Sequence, residues 1–470
     1  MKYPEYPTVT CYTPKGFDAT KLPNYNKRHH WKYGEFLHLL LLSHLRKKNK
    51  FDEPVVLSTK ILQFLLGHRY TKPVIQSLLD GKIITRFNYR RKEHAFKYKI
   101  NAHVLQQGIQ REELEKITIR RKIHLFNNRR LENILKDPIS QHEFQNITSI
   151  EIDVDEAIHY INSNYKKGTQ KHTARILSVY EVDRMKDSQI ATDLDMVYID
   201  WMFTVDRSGR WHTPISHLAK DLRPFLKTFD GKRFVELDGA CSQLTFCHKY
   251  LLEHINEKVS NCLFIGEDAK PTDSDKTYEP QWDTDQHTSM GKWKPTSYQK
   301  TIDLVWRNAI FSGNAYQLLM DGMQWKKSRD EFKEYFFKNL FFNKYRPKLT
   351  KMEEAFKHYF PHEFERLRIT KERLGNKELA VQVQRYESLF WHKWIGSSMR
   401  NKFRTVTYAT IHDSIILPEE NVNEVMVEVV SQAIRFFNPN DNDEPLIPTF
   451  RVKTFEAVTG PGKELNRPQK

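Results

Sequence analysis

Hydrophobic residues recur at the spacing of an α-helix along three segments in the first part of the chain. The first segment begins near Trp31, and its apolar face consists of Phe36, Leu37, Leu40, Leu41 and Leu45. The second and third, residues 61–65 and 74–79, lie on either side of Gly67. Two segments of alternating polarity follow, residues 83–89 and 95–100, and predict a β-hairpin. Residues 1–30 show neither period, so the pattern predicts an irregular arm there.

The predicted hairpin carries a cluster of cations at its tip, Arg90, Arg91 and Lys92. The order helix, helix, basic hairpin resembles winged helix-turn-helix modules and covers residues 31–105. That resemblance implies a DNA-binding domain in which the second helix enters a groove and the three tip cations contact phosphates. A small α+β subdomain with an exposed hairpin explains the same pattern, and the two readings stay open.

Residues 106–196 are mostly helical in pattern and locally very basic, as in the run from Lys116 to Lys122. Such a region can line a nucleic-acid channel or face water. From residue 197 the pattern changes to short apolar runs, tight turns and isolated acids, which is typical of strands joined by turns. The sequence therefore predicts domains at 1–30, 31–105, 106–196 and 197–470.

Two aspartates in the last of these domains follow apolar strands directly. Asp238 ends the predicted strand 233–237 and precedes Gly239, and Asp413 lies at the polar tip between two apolar runs, residues 408–411 and 415–417. Carboxylates on strand ends are held rigidly, and oxygen ligands are those that Mg²⁺ prefers. Two such acids can hold two metal ions for phosphoryl transfer. Taken singly, each is equally well explained as an ordinary turn residue.

A third element lies between the two acids. Residues 328–341 contain no glycine or proline and predict a helix. Four residues at a spacing of four place two cations ahead of two rings on one face: Arg329, Lys333, Phe337 and Phe341. A nucleoside triphosphate offers phosphates for the cations and a flat base for a ring. A core face with snorkelling cations is the alternative.

Charge and composition narrow the choice of partner. The 470-residue chain carries a formal net charge of +16, which favours a polyanion such as nucleic acid. Its longest apolar run is too short to cross a bilayer, so no membrane is expected. The four cysteines lack the spacing of a zinc site and predict reduced thiols and a cytoplasmic location.

The three elements together resemble family A DNA polymerases and the bacteriophage-type single-subunit RNA polymerases, over residues 197–455. Leu237-Asp238-Gly239-Ala240-Cys241-Ser242 resembles motif A, the helix 328–341 resembles motif B, and His412-Asp413-Ser414 resembles motif C in its RNA polymerase form. The nearest overall similarity is to compact polymerase-like proteins of phages and other bacterial mobile elements, which would place the protein in a bacterial host cytoplasm.

The resemblance implies roles for individual residues. Asp238 and Asp413 would hold two Mg²⁺ ions, with Mn²⁺ as a substitute. Arg329 and Lys333 would bind the triphosphate, and Lys333 would also donate a proton to the leaving pyrophosphate. The implied nucleotide-binding rings are Phe337 and Phe341, and the implied nucleic-acid contacts are Arg210, Arg223 and His412.

Two departures from the family pattern concern sugar selection. Phe341 stands where the family usually has tyrosine, and Phe342 replaces the neighbouring glycine. The choice between dNTP and rNTP is therefore open. Residues 266–291 form a polar, acidic stretch between motifs A and B and predict an insertion.

The predicted fold class is α+β: a polymerase right hand, with an antiparallel palm sheet and helical fingers in residues 197–470, preceded by the winged-helix-like region and a thumb-like helical region. The predicted function is template-directed nucleotidyl transfer, first as a DNA polymerase acting on a DNA template or primer-template with nucleoside triphosphates. The alternatives are a single-subunit RNA polymerase or primase, and a DNA-binding replication initiator or regulator with an inactive polymerase-like core. Oligomeric state stays open.

Overall fold

The computed structural model describes residues 8–46, 53–87, 96–114, 117–187, 189–191, 196–198, 203–262, 306–344, 348–438 and 447–455. The hairpin cations Arg90, Arg91 and Lys92 and the predicted insertion at 266–291 lie outside these residues. The chain forms two compact units. The first unit comprises Met1–Asp238, Trp391–Glu428 and Val452–Lys470, and the second comprises Gly239–Phe390 and Val429–Arg451. This division differs from the predicted domain boundaries, which stay predictions.

The structure combines helices with small antiparallel sheets. The described strands are Val9–Pro14, Val55–Val56, Ile84–Phe87, Lys97–Ile100, Ile109–Leu114, Ile150–Ile152, Gln189–Ala191, Met196–Tyr198, Thr204–Val205, Trp211–His212, Leu226–Thr228, Phe234–Gly239, Ala409–Ile411, Ser414–Pro418 and Phe450–Thr454. The described α-helices are His30–Arg46, Thr59–Leu66, His68–Asp80, Ile117–Leu135, Pro138–Thr148, Val154–Asn164, Gln170–Asp183, Pro214–His217, Ser242–Cys262, Ala315–Gly322, Arg329–Phe336, Lys351–Tyr359, Pro361–Leu374, Asn376–Ser388, Gly396–Lys402 and Val422–Phe437.

The prediction of an irregular arm is wrong over Val9–Pro14. This segment is a strand whose six residues are all buried, and it pairs antiparallel with Ile109–Leu114. A strand that is covered on both faces shows no alternation of polarity, and its partner is distant in the chain. The local pattern therefore carried no indication of it.

The described residues between 30 and 100 form a helix, a short strand, two helices and two paired strands. Their three-stranded sheet has the order Val55–Val56, Lys97–Ile100, Ile84–Phe87. Gly67, with φ of +93°, separates the two consecutive helices Thr59–Leu66 and His68–Asp80. This conformation favours glycine because a side chain would be strained there. The predicted helices and hairpin strands are present, and the DNA-binding role of the segment stays a prediction.

The region that the sequence predicts to be helical and basic contains helices Ile117–Leu135, Pro138–Thr148, Val154–Asn164 and Gln170–Asp183. Within this region, residues 150–152 form a strand that pairs with Leu226–Thr228. Asp153 then caps the helix Val154–Asn164 by accepting the N–H of Glu156. This short polar residue ends the strand and begins the helix.

The sheet that carries both predicted catalytic acids has four strands, in the order Ala409–Ile411, Ser414–Pro418, Phe234–Gly239, Phe450–Thr454. Ser414–Pro418 is antiparallel to both Ala409–Ile411 and Phe234–Gly239. Their apolar residues are buried; Leu237, Ile415 and Leu417 are 0% exposed. Helix Pro138–Thr148 packs against the outer strand Ala409–Ile411. This packing fixes the sheet end at which Asp238 and Asp413 lie.

The second unit is largely helical, and its helix Arg329–Phe336 begins with a capping box. Ser328 accepts the N–H of Glu331, and the Glu331 side chain accepts the N–H of Ser328. The helix then widens into a π-helix over Phe337–Phe341, closed by a hydrogen bond from Phe342 N–H to the Phe337 carbonyl. Nearby aromatic rings fill the core of this unit, with Trp306 and Phe360 centroids 4.6 Å apart. The predicted helix is present, but it changes from an α-helix to a π-helix at Phe337.

Within the described residues, no helix combines the length and apolarity needed to cross a bilayer. Cys11, Cys241 and Cys247 are buried free thiols, in line with the expected reduced cysteines; the Cys262 side chain lies outside the described part.

Candidate active site

Asp238 and Asp413 lie at the same end of two neighbouring antiparallel strands in the first unit. Asp238 is paired in register with Ser414, the residue that follows Asp413. Asp413 is the turn residue next to Ser414, and the negative charge of the Asp238 carboxylate contributes to a raised pKa of Asp413. The structure therefore brings the two predicted metal ligands together.

A tight turn presents Asp413 at the sheet end. The strands Ala409–Ile411 and Ser414–Pro418 are joined by only two residues, and the first of them, His412, has φ of +53°. The Ser414 hydroxyl lies 2.9 Å from the Ile411 carbonyl oxygen, which it binds across the turn. Non-glycine residues with positive φ are uncommon in proteins. Those that occur are often found at functional sites.

The Asp413 carboxylate is in an environment that disfavours its negative charge. Burial raises the pKa of Asp413, and the carboxylates of Asp238 and Glu236 raise it further, while Arg210 opposes them. Like charges close together destabilise each other's ionised form. A divalent cation would relieve this repulsion.

His412 is neutral at pH 7. Burial lowers its pKa to about 4, with further contributions from the positive field of Arg210 and from His212 and His217. Its ring lies 6.1 Å from that of His212 in an edge-on arrangement. Within the described residues, its buried Nδ1 has no hydrogen-bond partner. A neutral imidazole with an unused nitrogen can accept or donate one hydrogen bond to a substrate.

Glu236 is a buried acid two residues before Asp238, and it is held by two partners. Its carboxylate lies 2.8 Å from Nη1 of Arg223 and 2.7 Å from the Ser414 hydroxyl. Burial alone would raise the pKa of Glu236, but Arg223, Ser414 and Lys453 together lower it. Glu236 therefore stays ionised beside the two aspartates.

Arg223, which the resemblance implies to be a nucleic-acid contact, is buried, and that contact stays a prediction. Its side chain is 6% exposed and is bound to Glu236. A buried carboxylate is destabilised unless a cation pairs with it. The guanidinium of Arg223 is therefore buried beside Glu236 and does not face solvent. Arg223 therefore stabilises the negative charge of Glu236 from inside the protein.

Asp238 has a partner that no pattern in the sequence indicates. The ammonium of Lys453, on the neighbouring strand Phe450–Thr454, forms an ion pair with Asp238 Oδ2. The side chains are 44% and 19% exposed, respectively. A lysine on an edge strand of alternating polarity is usually expected to face solvent. No local pattern therefore indicated its ion pair with Asp238.

Arg210 belongs to the hairpin Thr204–Val205 and Trp211–His212, and it contributes positive charge near His412 and Asp413. Asp206 organises that hairpin. It accepts the N–H groups of Ser208 and Arg210, and its Oδ2 lies 3.0 Å from His212 Nε2. The turn holds Arg210 half-buried beside the acids, and its predicted contact with nucleic acid stays a prediction.

The donor set fits a divalent cation in chemistry. Asp238 and Asp413 supply oxygen ligands, and their repulsion is of the kind that a bound cation removes. Within the described ranges, no group of three or more His, Cys, Asp or Glu side chains is placed to hold a metal ion. A metal at this position would therefore need water or substrate oxygens to complete its shell, as Mg²⁺ commonly does.

Arg329 and Lys333 converge on Cys241 in the second unit. Burial raises the pKa of the Cys241 thiol, and it is lowered in part by Arg329, Lys333 and the backbone N–H groups of Tyr316 and Ala315. Arg329 also donates to the carbonyl oxygen of Gly313, over 3.2 Å. These groups form an electropositive cluster three residues along the chain from Asp238.

The backbone next to this electropositive cluster requires a glycine at position 313. Its φ is +75°, and a Cβ there would come within 2.8 Å of the Ala240 Cβ. A side chain would therefore be strained and would displace the segment that follows Gly239.

The two predicted nucleotide-binding rings differ in exposure. Phe337 is partly exposed, whereas Phe341 is 5% exposed and packs against Phe336 with centroids 5.8 Å apart. The helix changes from α to π at Phe337, and the rings of Phe337 and Phe341 lie with their centroids 5.5 Å apart. The two cations lie on the α-helical part, and the two rings lie on the π-helical part.

No protein-family model matches the chain. No curated protein matches it. Among solved structures, the POL domain of Pol1 from M. smegmatis, in complex with DNA primer-template and dNTP, aligns with a TM-score of 0.27 at 11% identity. The alignment covers 62% of this chain, which spans about half (54%) of the length of that one. A similarity of this size carries no argument about fold or function.

Proposed function

We propose that this chain is a template-directed nucleotidyltransferase, a DNA polymerase of the family A type that uses two Mg²⁺ ions. The observation that carries the proposal is the meeting of Asp238 and Asp413 at one end of two paired strands. The raised pKa of Asp413 supports it, because two carboxylates that repel each other are suited to share divalent cations. The sheet would then be the palm.

In the proposed reaction, the oxygen of a primer 3′-hydroxyl attacks the α-phosphorus of a nucleoside triphosphate. The new P–O bond forms as the bond to pyrophosphate breaks, and the proton of the 3′-hydroxyl passes to solvent water. Mg²⁺ held by Asp238 and Asp413 would stabilise the charge that develops on the attacking and leaving oxygens.

The chain's own groups divide the remaining tasks. Arg329 and Lys333 bind the triphosphate oxygens, and Lys333 donates a proton to the leaving pyrophosphate. Phe337 packs against the incoming base. The neutral His412 lies near the primer end. Residues 31–105, with the hairpin cations Arg90, Arg91 and Lys92, bind DNA.

Incorporation of labelled dNTPs and rNTPs, with Mg²⁺ and on primed and unprimed templates, tests the proposal. We expect extension by the wild type and a loss of roughly 10²–10³-fold or more in Asp413→Asn. Asp230→Asn is the matched control, because it removes one carboxylate from an exposed turn of the same unit. A preference for rNTPs, or synthesis without a primer, would instead identify an RNA polymerase or primase.

One observation favours a second candidate, a DNA-binding replication initiator or regulator with an inactive core. The ammonium of Lys453 pairs with Asp238, and a site that has lost its metal could keep such an internal cation. Sequence-specific duplex binding, together with no incorporation on any substrate at any Mg²⁺ or Mn²⁺ concentration, would establish this candidate over the polymerase.

A further inference from the structure

We propose that Lys453 is an internal counter-ion that competes with divalent cations for Asp238 and so sets the metal concentration at which the site fills. The inference rests on the proposed function, because it takes Asp238 as a metal ligand. It assigns a role to a residue that no motif of the sequence marks.

Lys453 lies on the strand next to the one that carries Asp238. Lys453 belongs to strand Phe450–Thr454, which neighbours strand Phe234–Gly239 in the four-stranded sheet. Its ammonium reaches Asp238 Oδ2 at the sheet end, while 44% of its side chain remains exposed. The lysine therefore approaches the carboxylate from a side that is open to solvent, and it can withdraw without disturbing the core.

Lys453 also offsets part of the negative charge at this end of the sheet. Three carboxylates, those of Glu236, Asp238 and Asp413, lie at this end of the sheet, and Glu236 already has the buried partner Arg223. Lys453 offsets the charge of Asp238, and its field also reaches Glu236. The protein without a divalent cation thus avoids an unneutralised acidic cluster, which would weaken the folded state.

Lys453 and a divalent cation compete for the carboxylate of Asp238. An ammonium and a divalent cation repel each other strongly at the distance of a shared oxygen. Lys453 must therefore leave Asp238 Oδ2 before that oxygen can bind a metal. Because the pair is partly exposed, its contribution is modest, and we expect the ammonium to weaken the apparent metal affinity by roughly three- to tenfold.

The test is Mn²⁺ binding to the full chain, followed by electron paramagnetic resonance of the free ion, which requires no catalytic turnover. We expect Lys453→Met to bind Mn²⁺ roughly three- to tenfold more tightly than the wild type. Lys453→Arg keeps the charge and should stay close to the wild type. Lys453→Gln is a second neutral variant and should repeat the result of Lys453→Met.

Lys232→Met is the matched control for loss of one positive charge. Lys232 pairs with Asp230 and Glu420 and is 45% exposed. It precedes Asp238 by six residues along an extended segment, about 20 Å away, which exceeds the screening length of about 8 Å at physiological salt. Its Mn²⁺ affinity should match that of the wild type.

The outcomes separate the two proposals. If the wild type binds Mn²⁺, Asp413→Asn does not, and both neutral Lys453 variants bind no more tightly than the wild type, the counter-ion role is overturned and the metal site stands. If neither the wild type nor the neutral variants bind Mn²⁺, both proposals fail. If Mn²⁺ binds only when Lys453 is neutralised, the counter-ion role is supported in its strongest form.

Discussion

The guanidinium of Arg223 lies 2.8 Å from the carboxylate of Glu236, and both side chains are more than nine-tenths buried. Glu236 shares one face of its strand with Asp238, because the two are separated by one residue. The ion pair therefore places a fixed, compensated charge next to the proposed metal ligands. It also makes the sheet end sensitive to the loss of either partner.

Removal of Arg223 should destabilise the protein strongly. Arg223→Met leaves the Glu236 carboxylate buried without its cation, and breaking such a pair costs about 3–5 kcal/mol. Urea unfolding followed by circular dichroism measures the change. Arg223→Met combined with Glu236→Gln should recover much of the loss, because no unpaired charge then remains. A single variant as stable as the wild type would contradict the ion pair's role.

His412 should make the protein less stable as the pH falls. Its pKa is about 4 when folded, against an ordinary 6.5, so the unfolded chain binds more protons between these values. The free energy of unfolding should therefore fall by roughly 1–2 kcal/mol between pH 7 and pH 5 on account of this residue. The test compares unfolding of the wild type and His412→Asn across that range. Asparagine tolerates the positive φ and does not titrate, so its curve should be flatter.

Asp413→Asn should stabilise the protein in a buffer without divalent cations. The substitution removes a carboxylate that burial and Asp238 disfavour at neutral pH. We expect a gain of about 0.5–1 kcal/mol in the free energy of unfolding, measured with EDTA present. Addition of Mg²⁺ should raise the melting temperature of the wild type and leave that of the variant unchanged. A less stable variant in EDTA would show that the carboxylate is not repelled.

Glu143 should be important for the outer strand of the sheet. This residue is 0% exposed, accepts the Thr410 N–H over 3.1 Å and lies 3.2 Å from His392 Nδ1. Glu143→Ala leaves a buried donor on the edge strand unsatisfied, which should cost about 2–4 kcal/mol. Gln145→Ala, at an exposed position of the same helix, is the control and should change stability by at most about 0.5 kcal/mol. Equal melting of the two variants would count against the role of Glu143.

Local patterns predicted the elements that carry the candidate site. The strand that carries Asp238 and the turn at Asp413 are both marked by apolar runs interrupted by short polar residues, and such signals act within a few positions. The helix at Arg329 likewise follows from a composition without glycine or proline. Their arrangement in register was not predictable, because strand pairing depends on the whole fold.

The features that the sequence did not predict depend on contacts between distant residues or on local variation of helix geometry. The buried strand Val9–Pro14 has no alternation because both faces are covered. Lys453 looks like an ordinary edge-strand lysine until its partner Asp238 is placed beside it. The change to a π-helix at Phe337 follows no simple sequence rule.

The order of strands in the four-stranded sheet has a consequence for protein synthesis. Strand Phe234–Gly239 lies between Ser414–Pro418 and Phe450–Thr454, both of which the ribosome makes much later. During translation, this apolar strand has two unpaired edges for the time needed to add more than a third of the chain, and such edges promote aggregation. Nascent chains arrested between these segments should therefore depend on chaperones more than the finished protein does.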